Sequence, residues 1–182
     1  MASFGHIAVG LALGRWGARR ASPGRRAAAM AGLAALAMLP DADVIAFALR
    51  IPYAAPWGHR GASHSLVLAV GVALAVAVGT WMARGPALET GLLAAAAVGS
   101  HGLLDAMTTG GLGAALLWPF TSARYFLPLR PIPVAPIGVG MLSARGVYVV
   151  LVELLLFLPF WGYALWPRRR KESRPEPRRP GP

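Results

Sequence analysis

The residues from Ser65 to Ala83 form an uninterrupted, uncharged run rich in Val, Ala and Leu. As a helix the run is about 28 Å long, which matches a hydrocarbon core of about 30 Å. It is read as a membrane helix, and the rest of the chain has to be organised around it. Composition agrees: of 182 residues, 56% are hydrophobic and 14% charged, against roughly 45–50% and 25% in a soluble domain. Apolar dominance excludes a disordered chain, and the length allows one domain or at most a small second one. The absence of cysteine removes disulfides, thiolate zinc sites, iron–sulfur clusters and a cysteine nucleophile. Any metal must bind through His, Asp or Glu.

Gly146 to Trp166 is a second apolar run, broken only by Glu153 and closed by Phe160, Trp161 and Trp166; it is expected to be the last helix. Pro86 to Thr108 forms a third, with Glu89 near its start, where a helix-end pair with Arg84 is expected, and His101 and Asp105 toward its end. Phe4 to Gly14 and Ala27 to Leu39 are shorter, rich in Ala and Gly, and suited to a helical hairpin. No basic residue precedes the first apolar stretch and no small-residue cleavage site follows it, so it is not read as a signal peptide. Asp41 to Ala62 and Thr109 to Arg145 are punctuated by Pro and Gly and read as loops or re-entrant segments. The expectation is an all-α integral-membrane bundle of about five helices over residues 1–167, with two long outward-facing loops, followed by a disordered basic tail over 168–182.

A net charge of +11 would suggest nucleic acid in a soluble protein, but its distribution is topological. Arg15, Arg19, Arg20, Arg25 and Arg26 fill one short connection, and seven more basic residues fill the tail after Trp166. With Arg84, thirteen of the eighteen basic residues fall on one side of a five-helix threading, and the positive-inside rule makes that side cytoplasmic. The basic tail lacks interleaved aromatics, so anionic lipid is its expected partner and nucleic acid is not.

The four histidines are His6, His59, His64 and His101, and the three aspartates are Asp41, Asp43 and Asp105. Under the same threading all seven fall near one membrane face, although they come from four stretches of sequence. Ionisable groups at membrane depth are costly and mark functional sites. His101 and Asp105, four apart on a helix, share a face and can reach one ion. Asp41 and Asp43 follow a proline and can bind or bridge hard cations, and imidazole with carboxylate suits zinc, manganese or iron. His59, Arg60 and His64 open onto a helix start, where backbone donors favour anions and Arg is the natural phosphate clamp. Structural readings stand beside these: helix termination at Asp41 and Asp43, headgroup anchoring by Arg60, a hydrogen-bonded His101–Asp105 pair, and an interfacial His6. Ser63, Ser65 and Ser100 adjoin histidines, but no G-x-S-x-G elbow accompanies them.

In these residues the sequence resembles the YdjM-like family of bacterial inner-membrane proteins, described as metal-dependent hydrolases. The resemblance rests on His6, L-P-D-x-D (Leu39 to Asp43), G-H-R-G-x-x-H-S (Gly58 to Ser65), S-H-x-x-x-D-x-x-T (Ser100 to Thr108), and L-W-P (Leu117 to Pro119) followed by Arg124 and Arg130. It runs from about His6 to Arg130. The family is thought to be related to zinc-dependent phospholipase C and its nuclease relatives, which carry a helical H-x-x-x-D of the same form. That relationship implies one zinc held by an aspartate of the Asp41/Asp43 pair, His64, His101 and Asp105, with Asp105 bridging to a second metal near His6. The third metal of the soluble enzymes has no matching motif here.

The function expected from these readings is hydrolysis of a lipid-like phosphoester at the outer face of the bacterial inner membrane, by water activated on one or two divalent ions, zinc first and manganese second. The expected metal ligands are His6, Asp41, His64, His101 and Asp105. Asp43 is the expected general base if Asp41 ligates, and Arg60 the catalytic clamp; His59, Arg60 and Arg130 are the expected substrate contacts. The rival is a non-enzymatic membrane protein that binds or conducts a metal ion or protons. Against it, the polar groups stack at one end, and after Ser65 the first apolar run offers only Thr80.

Overall fold

The computed structural model describes Met1 and residues 3–167; the tail over 168–182 lies outside the described residues. The chain forms α1 (Phe4–Gly17), α2 (Pro23–Met38), α3 (Ile45–Ala48), α4 (Leu66–Met82), α5 (Ala87–Ala106), α6 (Ala144–Leu156) and α7 (Leu158–Leu165). Among the described residues β-pairing is limited to two isolated bridges, Thr108 with Ile132 and Ala114 with Tyr125. The all-α bundle is therefore as expected.

Helices α1 and α2 pack as the anticipated hairpin, and glycine makes the close approach possible. A Cβ at Gly10 would stand 2.5 Å from Ala34 Cα, and one at Gly14 would stand 2.4 Å from Met30 Cα. Small residues let helix backbones meet in lipid, where dispersion replaces the hydrophobic effect as the adhesive. Helices α4 and α5 form a second hairpin, and α5 is the central element, packing on α1, α2 and α4. Val70, Leu74 and Val78 of α4 remain 56%, 61% and 53% exposed, the apolar stripe expected of a helix that faces lipid.

Among the described residues two segments are long and apolar enough to cross a membrane, Pro23–Ala48 and Ala87–Ala106, whereas α4, expected to be a full span, is a shorter apolar helix of 17 residues. The first departs from expectation. Instead of ending at Pro40, α2 passes through a 3-10 turn over Leu39–Val44 into α3. Pro40 lies in the first positions of that turn, where its missing N–H leaves no bond unmade. Asp41 and Asp43 are thus held on a helical turn and not in a loop. The last helix departs as well, because α6 and α7 meet at a 65° bend. Pro159, at the start of α7, cannot donate to the preceding turn and its ring displaces that turn's carbonyl.

Candidate metal centre

His101 is fully buried on α5. Its Nδ1 lies 2.7 Å from the Ala37 carbonyl of α2, and since a carbonyl can only accept, Nδ1 carries the proton. Its Nε2 therefore presents a lone pair to the bundle interior, the second-shell arrangement usual for a metal-binding imidazole. His64, in the short 3-10 turn before α4, is oriented the same way. Its Nδ1 lies 3.0 Å from Ser63 Oγ and 3.2 Å from Asp43 Oδ2, and its Nε2 points inward. The two Nε2 atoms are 3.1 Å apart. Asp105 Oδ2 lies 3.1 Å from His64 Nε2 and 3.8 Å from His101 Nε2, while Asp41 Oδ1 lies 3.3 Å from His101 Nε2.

One ligand atom from each of Asp41, His64, His101 and Asp105 falls within 4.8 Å of all the others. Two imidazole nitrogens and two carboxylate oxygens are a donor set for a tetrahedral divalent ion, whose charge the carboxylates balance. A second group, Asp41, Asp43 and His59, meets the same distance and shares Asp41. The structure thus brings together four of the five expected ligands. The fifth, His6, is fully buried beside them, stacked on His101 with ring centroids 3.6 Å apart. Neither of its ring nitrogens has a hydrogen-bond partner, and its Nε2 is 3.6 Å from Asp105 Oδ1. A buried imidazole without partners is costly, so the donor chemistry of the cluster fits a metal ion. Burial pushes the His64 imidazole down, but its bonds to Asp105 and Asp43 outweigh that, and its pKa is raised overall.

The arginines take a different place from the one expected. Arg60 is 3% exposed. Its Nε lies 3.0 Å from Asp105 Oδ2 and its terminal nitrogens donate to Thr108 Oγ1 at 2.9 Å and Asp105 Oδ1 at 3.3 Å. The guanidinium therefore orients the Asp105 carboxylate and is turned away from solvent, where a phosphate clamp would have to be. Arg124 donates to the carbonyls of His59, Tyr53 and Ala55, which ties down the loop. Arg130 is exposed over the Phe126 ring and is not brought to the cluster. The α-ammonium of Met1, which no motif singled out, donates to Asp105 Oδ1 at 2.9 Å.

Asp43 also differs from a free base. Oδ1 lies 2.6 Å from His59 Nδ1, and Oδ2 accepts from Arg60 N at 3.0 Å and from Ser63 Oγ. His59 and Asp41 both line a cavity of about 340 Å³, whose other walls include Met38, Val44, Phe47 and Ile137. The G-H-R-G segment folds this tightly because a Cβ at Gly61 would lie 2.1 Å from the Pro56 carbonyl oxygen. Arg60 adopts φ 61°, a conformation held by the bonds at both its ends. Ser65 is a helix cap, accepting from Leu68 N at 3.1 Å.

The bundle and its buried histidine–aspartate cluster define a helical membrane protein with a candidate metal centre. A family model described as "YdjM inner membrane protein" matches residues 1–170, and the chain belongs to that family. It is 39% identical over 140 residues, 74% of this chain and 81% of the relative, to "Inner membrane protein YbcI" of Escherichia coli (strain K12). No solved structure matches.

Proposed function

We propose that the protein is a metal-dependent hydrolase of a phosphoester, acting at the boundary of the inner membrane. The observation that carries this reading is the convergence of Asp41, His64, His101 and Asp105 to within 4.8 Å. When bound there, a divalent ion supplies Lewis-acid polarisation of the ester and a water of lowered pKa. Asp41 reaches both the cluster and the 340 Å³ cavity, so substrate enters beside it. Asp43 acts through His59: by accepting from Nδ1 at 2.6 Å it leaves Nε2 as the lone-pair nitrogen. His59 Nε2 takes a proton from the attacking water as the new P–O bond forms. It then returns the proton to the leaving alkoxide as the old P–O bond breaks. Arg60 holds Asp105 in place and is a positioning residue.

The test is hydrolysis of phospholipids and simple phosphodiesters in mixed micelles with added zinc or manganese. Activity that chelation abolishes, that His101→Ala loses and that His59→Gln lowers by about 10²–10⁴-fold is the expected result. Metal uptake with no hydrolysis of any ester would leave a metal-binding membrane protein in place of an enzyme.

A further inference from the structure

The two hairpins meet tightly at the cluster end, and toward the other end they touch again where a Cβ at Gly17 would stand 2.5 Å from Leu93 Cδ1. At the cluster end, Ala37 is fully buried and its carbonyl accepts from His101. At the opposite end they part around a cavity of about 450 Å³, lined by Gly17, Gly32 and Leu33 of one hairpin and Val76, Thr80 and Thr90 of the other. A Cβ built at Gly32 meets nothing within 4 Å, so the space is real at that wall. The two threonine hydroxyls bond each other at 3.0 Å, and Thr80 also donates to the Val76 carbonyl. The interior therefore presents an apolar surface.

The rim is charged with both signs. Glu89 lines the cavity and is exposed, and it has no ion-pair partner among the described residues; the expected Arg84–Glu89 pair is not formed. Arg20 and Arg84, both exposed, flank the lining in sequence, two residues from Ala18 and two from Pro86. A helix about 10 Å wide needs about 590 Å³ for every five residues, more than the cavity offers, whereas an acyl chain is slender and flexible.

We propose that this cavity holds one acyl chain of a zwitterionic phospholipid, with its headgroup ammonium at Glu89 and its phosphate near Arg20 and Arg84. The site is at the far end of the helices from the histidine–aspartate cluster and does not depend on the chemistry assigned there. An exposed ion pair is weak, so the headgroup preference is modest, about two- to fivefold, while the cavity itself sets retention.

The experiment titrates delipidated full-length protein with dioleoyl phosphatidylethanolamine or dioleoyl phosphatidylglycerol and counts bound lipid by native mass spectrometry. One phosphatidylethanolamine retained with that preference is expected. Glu89→Gln should erase the preference, and Gly32→Leu, which fills open space, should lower retention of both lipids about tenfold. A helical circular-dichroism spectrum and a thermal midpoint equal to those of the parent protein in detergent show that Gly32→Leu is folded. Undiminished lipid retention by folded Gly32→Leu, or a preference unchanged in Glu89→Gln, overturns the proposal. So does a Gly32→Cys variant that forms disulfide-linked dimers in membranes while losing lipid, since the face would then join two copies of the chain.

Discussion

His64 Nε2 and His101 Nε2 stand 3.1 Å apart, and each ring's Nδ1 already has an oxygen partner, Ser63 Oγ or the Ala37 carbonyl. Two lone pairs at that separation repel unless a proton or a cation lies between them. A divalent ion also draws in Asp41 and Asp105. Purified protein is expected to carry a stoichiometric divalent ion. His64→Ala and His101→Ala should each lose it, measured by elemental analysis after gel filtration. Full metal content in both variants would remove the site.

The same relationship fixes a pH dependence. In the metal-free protein the His64 pKa is raised above its ordinary value of about 6.5. A raised imidazole contributes stability that is fully present below the unfolded value and is lost as pH rises through the folded one. Metal requires the deprotonated ring, so affinity runs the other way. Below the folded pKa of His64 the association constant for zinc should fall about tenfold per pH unit, and above it the curve should flatten. Titration calorimetry in two buffers of different ionisation enthalpy would count the proton released. A pH-independent affinity from pH 5 to 8 would contradict the role given to His64.

Arg60 and Asp105 are both nearly inaccessible to solvent, 3% and 1% exposed. Removing one partner of a buried ion pair costs about 3–5 kcal/mol when the other charge is left alone; Asp105 keeps the Met1 ammonium at 2.9 Å, so the lower end of that range applies. Arg60→Ala is expected to destabilise the protein by that order and to lose metal with it. Arg60→Lys keeps the charge but cannot reach Asp105 and Thr108 together, so it should fold and bind metal more weakly. A phosphate clamp behaves differently: Arg60→Lys would then leave metal affinity untouched and raise only KM.

Much of the site was legible because helix ends can be placed from span length and charge. His6, Asp41, His64, His101 and Asp105 come from separate stretches, and the threading put them at one end. The directions of side chains were not legible. Arg60 and Arg130 read as arginines near an anion site, yet Arg130 stays exposed over Phe126 and the buried Arg60 guanidinium follows the nearest carboxylate, a partner set by the fold of the G-H-R-G loop. Pro40 reads as a helix stop, but at the start of a 3-10 turn it is harmless, so the continuation of α2 into α3 was missed. Asp43 and His59 were seen as separate groups because nothing in their spacing, sixteen residues apart, indicates that they share a proton.

Close approach of α5 to His64 makes Gly102 a sensitive position. A Cβ there would lie 2.3 Å from the His64 carbonyl oxygen, whereas one at Gly99 would meet Ala69 Cβ at an ordinary 3.7 Å. Gly102→Ala should cost about 1–3 kcal/mol through overpacking and weaken metal binding by shifting His64. Gly99→Ala should do neither, and equal effects would mean that the helix face as a whole, and not the His64 contact, is responsible.

The thirteen-to-five division of basic residues expected from the sequence predicts a cytoplasmic side, and the structure supplies positions at which to test it. Ser22 is exposed and makes no capping bond at the start of α2, and Ser122 is exposed in the long loop before Arg124. Because the chain has no cysteine, Ser22→Cys and Ser122→Cys each introduce a single thiol at a site where the native hydroxyl is not holding the fold. In intact cells a membrane-impermeant maleimide that has entered the periplasm should label Ser122→Cys and spare Ser22→Cys. Inverted vesicles should give the reverse. The reverse pattern in intact cells would put the histidine–aspartate cluster on the cytoplasmic side and move any ester substrate to that leaflet, while labelling of both thiols from one side would overturn the five-helix threading itself.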